Sequence, residues 1–386
     1  MSRDAVHLAV IVLLFLCLGL VVLYSASGVT AEQNPRFQDA THFLKKQAMW
    51  TLVGILALVA TARIPVEFWS KTRGILLLVT LVLLGLVLVP GIGSQINGAR
   101  RWLYAGGWYF QPSELAKLTG AIFVCGHLAA DPARISRFRD GFLPAFGSIL
   151  VLCGLIVVQP DLGTSVFIAM VLTVTLIVAG VRTLHVAPTF ATGATLAGLY
   201  VATHLEHVRA RLETYFNPMA DPLGAGHQIN QSLIALGAGG WWGEGLGRGT
   251  QKLFFLPEVH SDFIFPVIGE ELGFLGALSV ILLYGAFGVT GWRIMNRAST
   301  PFAYLLAFAL TLFIMLQAAF NLMVVTAMVP TKGIPLPFLS FGGSSLCFTL
   351  ASAGILMSIA NRNQKSEIRS QKADIRNQKD EEPNKA

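Results

Sequence analysis

Acid, imidazole and acid alternate in Leu256-Pro-Glu-Val-His-Ser-Asp-Phe-Ile-Phe265, as Glu258, His260 and Asp262, just before a long apolar run begins. General base catalysis needs a carboxylate held beside a cavity that admits the reacting hydroxyl, and a boundary of this kind meets the location requirement. A metal site is open on the same residues, although the chain has no DxD pair, no HExxH and no Walker A run. His204 and His207 fit an interface better than a metal. Three other places carry polar groups where apolar sequence surrounds them. In Gln111-Pro-Ser-Glu-Leu-Ala-Lys117, Pro112 suits a first helical turn, and Glu114 and Lys117 stand three apart on one helix face. They make either a self-neutralising surface pair or the wall of a polar cavity. Asp161, in the turn Gln159-Pro-Asp-Leu-Gly163, either caps the next helix or faces the same cavity. Glu270 and Glu271, within Gly269-Glu-Glu-Leu-Gly273, fall about two turns into an apolar run and call for a cationic partner.

These groups are embedded in a chain of 386 residues that is 54% hydrophobic and only 13% charged. Soluble domains carry about 25% charged residues, so the chain is read as an integral membrane protein without a large extramembrane domain. Its mean hydropathy is +0.63. The formal charge of +7 is explained by membrane topology, and no nucleic-acid partner is expected. Cys17, Cys125, Cys153 and Cys347 all lie in apolar runs without CxxC or CxxH neighbours, and read as small apolar fillers. The first apolar run is longer than a signal-peptide core and lacks a clean cleavage site, so it is taken as a retained span.

A bilayer core of about 30 Å needs roughly 20 apolar residues per helix. Runs of that kind occur at about 6–26, 47–63, 74–91, 113–129, 142–159, 163–181, 187–204, 264–290, 302–328 and 340–361. The expected fold is therefore all-α: a polytopic bundle of about ten transmembrane helices, residues 1–361, with a disordered tail at 362–386. With ten spans both termini share one side. Of the Lys and Arg residues, 17 fall on that side and 10 on the other, with Lys117 inside a span. The positive-inside rule then places both termini in the cytoplasm. The loop between spans 7 and 8, about 205–262, becomes extracytoplasmic, and its length and its Gly237 to Gly249 run mark it as functional or as a re-entrant cap. Pro330-Thr-Lys-Gly-Ile-Pro-Leu-Pro-Phe-Leu-Ser-Phe-Gly-Gly-Ser-Ser345 cannot be helical throughout, and irregular backbone at membrane depth either lines a wet cavity or is buried as a rigid turn.

Six motifs in order resemble the SEDS family of bacterial shape, elongation, division and sporulation proteins, to which FtsW and RodA belong. They are Asn97-Gly-Ala-Arg-Arg-Trp102, Phe110 to Lys117, Gln159 to Thr164, Gln231 to Gly237, Leu256 to Phe265 and Pro330 to Ser345. Pro330-Thr-Lys-Gly333 is closer to the FtsW division and sporulation branch than to the RodA elongation branch. The resemblance implies a peptidoglycan glycosyltransferase. It would polymerise lipid II at the outer face of the cytoplasmic membrane during septal synthesis, with inversion at the anomeric carbon and release of polyprenyl pyrophosphate. Its partners would be a class B penicillin-binding transpeptidase and other membrane proteins of the division machinery. It makes Asp262 the catalytic carboxylate and places Arg101, Trp102, Glu114, Lys117, Asp161, His260, Lys332 and Ser344 at the substrate. Outer-side cations, among them Arg100, Arg209, Arg211, Arg248 and Lys252, are available for the pyrophosphate, alone or with Mg or Mn. The motif here reads Glu-Val-His-Ser-Asp where His-Thr is more usual, and Ser-Phe-Gly-Gly in place of Ser-Tyr-Gly-Gly; neither departure touches the acid. A lipid II flippase and a non-catalytic scaffold are the rival readings.

Overall fold

The structure is a computed structural model describing residues 1–35, 37–96, 98–131, 135, 137–203, 206, 209, 215, 226–252 and 259–381. Asn97, His204, His207, Arg211 and Glu258 lie outside the described residues, as does most of the expected 205–262 loop. Three helices come first, α1 (Arg3–Gln33), α2 (His42–Arg63) and α3 (Val66–Leu88). A three-stranded antiparallel sheet follows, β1 (Gly93–Ile96), β2 (Ala99–Ala105) and β3 (Trp108–Phe110), in the order β1-β2-β3. Then come α4 (Pro112–Ala129), α5 (Leu143–Val158) entered through a π turn, α6 (Leu162–Val178), α7 (Thr183–Thr203) and a short α8 (His227–Ala238). The chain ends in α9 (Ile264–Asn296), α10 (Pro301–Val325) and α11 (Gly343–Glu381). Seven helices among the described residues are long and apolar enough to cross a bilayer, namely α1, α2, α3, α9, α10, α11 up to Gln364, and α5 taken with its π turn. Helix α6 is apolar but shorter. Helix α4 is diluted by Glu114 and Lys117, which the site explains, and by His127 in its last turn, which meets the Asp140 carbonyl.

The sheet was not expected. Its strands are too short and too polar to read as spans, and the hairpin between β2 and β3 turns on Gly106 and Gly107, at φ 57° and 89°, the left-handed pair that a two-residue hairpin demands. Helix α11 runs on to Glu381 through residues assigned from sequence to a disordered tail. Glu, Lys, Gln and Arg dominate that stretch and are good helix formers.

Small residues let the central helices approach closely. A Cβ at Gly54 of α2 would sit against Leu350 of α11, and one at Gly354 would overlap Thr61 and the Leu58 carbonyl, so neither helix can retreat without opening a gap. Thr61 Oγ1 completes the seam by donating to the Ala351 carbonyl at 3.0 Å. Buried Phe15, Phe287 and Phe338 fill the centre among α1, α9 and the segment before α11. At one end of the bundle the Ser2 amide donates to Asn361 Oδ1, Arg297 pairs with Asp4 at 2.8 Å, and Asn363 donates to the Ile294 carbonyl. The start of α1 and the end of the last span therefore share a face.

Glu270 and Glu271 do not lie within the long rod of α9. Helix α9 breaks at Gly273, at φ 68° and ψ −167°, so residues 264–271 form a separate segment before the long rod. Ser25, which donates to Glu271 at 2.7 Å, is 22 residues along α1 from Arg3, about 33 Å at 1.5 Å per residue. That is the full thickness of a bilayer core, so the two acids stand at the far face. The cation is Lys252, which pairs with Glu271 at 2.5 Å and is 3% exposed. It comes from the long loop rather than from a neighbouring helix. Lys252 is consequently committed to Glu271. The amides of Thr250 and Gln251 donate to Glu270 Oε1. The backbone groups released by the break are taken up by the 240–245 turn, where Phe274 N donates to Gly240 O and Gly245 N to Glu271 O. Gly243 and Gly273 meet so closely that a Cβ on either would strike the other strand's backbone.

Candidate functional site

A cavity of about 380 Å³ opens among the sheet, the N-termini of α4, α6, α9 and α11, and the irregular 333–335 segment. Its wall contains Arg101, Trp102, Glu114, Lys117, Asp161, Asp262 and Ser344, seven residues singled out from five separate motifs. Each is delivered by a different local device. Strand β2 presents Arg101 and Trp102, with Trp102 paired across the sheet to Ser94. Pro112 starts α4 immediately after β3, which puts Glu114 in its first turn. Ser344 accepts a hydrogen bond from the Gln111 amide and donates to the Tyr109 carbonyl, and so pins the β3–α4 junction to the start of α11.

Glu114 and Lys117 are an ion pair at 2.7 Å with side chains only 8% and 12% exposed. That burial removes the surface-pair alternative: the pair faces the cavity, not solvent. Lys117 also donates to Gln317 Oε1 at 2.9 Å, and Gln317 Nε2 donates to the Pro335 carbonyl at 2.9 Å. Asp161 satisfies both of its sequence readings. Its Oδ1 caps α6 by accepting from the Thr164 amide, and the same carboxylate receives Lys332 at 3.3 Å and Arg101 at 3.9 Å. Burial alone would raise its pKa, but Lys332, Arg101 and the Thr164 bonds outweigh it and hold Asp161 below the ordinary aspartate value. Arg101 is fixed in turn by the Gln159 and Pro160 carbonyls, the first at 3.2 Å.

Asp262 is half-buried in the wall, immediately ahead of α9, and its backbone carbonyl accepts from Asn321 Nδ2 at 2.8 Å. Two of the expected site residues stand behind the wall. His260 packs against Phe43, ring centroids 4.5 Å apart, and against Phe341, whose amide donates to the His260 carbonyl. Lys332 reaches the cavity through Asp161. Gln317 and Asn321 were missed from sequence. They are four apart on α10, a helix without a charged residue, and two carboxamides on one face of a span are themselves a signal of a polar neighbour. Among the described residues no three His, Cys, Asp or Glu side chains gather around one point as a metal site would require.

The fold and the cavity define a class: a polytopic membrane protein with a charged pocket at one bilayer face, containing a half-buried carboxylate and cations held at fixed positions. The chain belongs to the FtsW, RodA and SpoVE family, whose model, described as cell cycle protein, matches residues 6–365. It is 40% identical over 346 residues to the probable peptidoglycan glycosyltransferase FtsW of Trichlorobacter lovleyi, covering 89% of each chain. It is 38% identical over 354 residues to the stage V sporulation protein E of Bacillus subtilis, covering 92% of this chain and 96% of that one. Among solved structures, a chain of a peptidoglycan synthase complex described as coordinating polymerisation and crosslinking superposes with a TM-score of 0.73 at 28% identity, covering 92% and 97%. The rod shape determining protein RodA of Thermus thermophilus gives 0.63 at 26% identity, covering 92% and 96%.

Proposed function

We infer that this chain is a peptidoglycan glycosyltransferase that polymerises lipid II at the outer face of the bacterial cytoplasmic membrane, in the septal synthesis of dividing cells. The observation that carries the reading is the cavity that unites Asp262 with Arg101 and Lys117 at one bilayer face. The acceptor's sugar hydroxyl attacks the anomeric carbon of a lipid-linked donor and the C–O bond to pyrophosphate breaks with inversion. Asp262 accepts the hydroxyl proton, and the polyprenyl pyrophosphate departs with both bonding electrons. Arg101, with Lys332 beside it across Asp161, supplies positive charge where the leaving group develops its own. The cations cost little to reorganise because Asp161 and two backbone carbonyls already hold them. A divalent ion would have to draw ligands from the pyrophosphate oxygens as well as the protein, since the described residues offer no trio of their own. Trp102 and Ser344 shape the pocket around the sugars, and His260 supports its wall from behind through Phe341.

Both termini are cytoplasmic in this reading, in line with the Lys and Arg bias. The partner that crosslinks the new strands is a class B penicillin-binding transpeptidase, as the likeness to a chain of a synthase complex supports. The test is polymerisation of lipid II by the purified protein in detergent with the cognate transpeptidase present. Strand formation supports the reading, because detergent removes any need to flip substrate. Failure of the wild-type complex under conditions in which it remains folded and assembled would favour the flippase or scaffold readings.

A further inference from the structure

The acid is held from two sides by groups that no charge pattern announces. Asn321 is 1% exposed and its Nδ2 donates both to the Asp262 carbonyl and to the Ile334 carbonyl, each at 2.8 Å. Two carbonyl acceptors on one atom settle the orientation of the amide, because the flipped form would oppose oxygen to oxygen. On the other side of Ile334, a Cβ built on Gly333 would meet Asp262 Oδ2 at 2.6 Å, and its three nearest neighbours would all be atoms of that carboxylate. Gly333 is not among the residues of positive φ, so Ala is acceptable to the backbone there. What glycine provides is room for the carboxylate. The Asn321 carboxamide thus ties the backbone before α9 to the irregular segment, and the segment in turn presents a flat surface against the acid.

We propose that Asn321 and Gly333 are positioning residues for the transfer step: Asn321 sets the distance between the Asp262 backbone and the 333–334 segment, and Gly333 seats the Asp262 carboxylate in the cavity. The proposal rests on Asp262 as the general base, and its test is built so that the two fail separately. Asn321→Leu is of similar size and removes both hydrogen bonds. It should lower kcat for lipid II polymerisation about 10²-fold while KM for lipid II stays within about threefold, as expected when about an ångström of misplacement affects the reacting geometry but not binding. Gly333→Ala should lower kcat about tenfold with KM again unchanged. A second readout does not depend on catalysis: in an Asp262→Cys background, adding Asn321→Leu or Gly333→Ala should change the rate of thiol alkylation by a small methanethiosulfonate at least threefold. Thermal midpoint in detergent and recovery with the transpeptidase establish folding, and if Asn321→Leu does not fold, Gly333→Ala decides the matter on both readouts. Unchanged kcat together with unchanged alkylation overturns the proposal. An Asp262→Asn protein that polymerises at the wild-type rate overturns the base assignment instead, and the alkylation rates still decide whether Asn321 and Gly333 position residue 262.

Discussion

At the scale of single residues, the chemistry of the pocket depends on which charges are already committed. Asp262→Asn keeps the shape and removes the proton acceptor. It should abolish polymerisation while leaving protein level and partner binding intact, since proton transfer contributes about 10² to 10⁴ in rate. Asp262→Glu should also be impaired about 10²-fold, because the added methylene displaces the carboxylate toward the Gly333 surface. The Glu114 and Lys117 pair can be examined by exchange. The double change Glu114→Lys with Lys117→Glu preserves net charge but turns a carboxylate toward Gln317 Oε1, an acceptor whose amide nitrogen is already occupied by the Pro335 carbonyl. We expect normal protein level with polymerisation down at least about tenfold; full activity would show that the pair is structural alone. Asp161 gives a pH signature. Its folded pKa is depressed, so its contribution to stability is present above the unfolded aspartate value, near 3.8, and is lost as pH falls through the lower folded value. The difference in thermal midpoint between wild type and Asp161→Asn should be constant from about pH 8 to 5 and shrink below about pH 4. A difference that grows on acidification would contradict the ion-pair account.

At the scale of elements, the break in α9 does two things that an unbroken helix would not. It moves Glu270 and Glu271 out of the hydrocarbon to the bilayer face, and it turns the 264–271 segment so that Asp262 ends at the cavity. The cost is a set of released backbone groups, which the 240–245 turn satisfies. The conformation at Gly273, positive φ with ψ near 180°, is open essentially to glycine alone, and a Cβ there would strike the Gly243 and Trp241 backbone. Gly273→Ala should therefore destabilise the protein by about 3 kcal/mol or more and expose the 239–252 turn to limited proteolysis. Wild-type cleavage kinetics would refute the lock. Lys252 belongs to the same joint. Lys252→Met leaves Glu271 buried without its cation, and losses of about 3 to 5 kcal/mol are typical for breaking such a pair. Adding Glu271→Gln should recover part of the thermal midpoint.

At the scale of the molecule, two ends carry different functions. One end ties α1, α9 and α11 together through Ser2, Asp4, Arg297, Asn361 and Asn363, while the other gathers the sheet, four helix N-termini and the cavity. If the first end is cytoplasmic, an impermeant thiol reagent applied to intact cells should label Arg248→Cys and spare Ser370→Cys, relative to the unsubstituted chain. The reverse pattern would invert the topology. Ser232 in α8 would be unsuitable for the same experiment, because it is fully buried and bonded to the Val325 carbonyl.

The sequence by itself determined the class of the protein and most of the pocket's membership. Low charge and long apolar runs leave few alternatives to a helical bundle in lipid, because backbone polar groups there must be satisfied within the helix. Ionisable groups in apolar surroundings are costly enough that each one, from Glu114 to Asp262, marks a place with a polar purpose. Tertiary structure decided which of these groups meet. Lys252 and Lys332 look alike as cations in an outer loop, yet one is sealed on Glu271 and the other stands on Asp161 beside the cavity. Asn321 and Gln317 carry no charge and interrupt no pattern strongly, so their role emerged only when α10 placed them under the carbonyls of a segment whose irregular path follows no periodicity. Period and composition are properties of one segment. Pairing depends on the angles at which separate helices cross and on single breaks such as Gly273, and those are set by packing across the whole bundle.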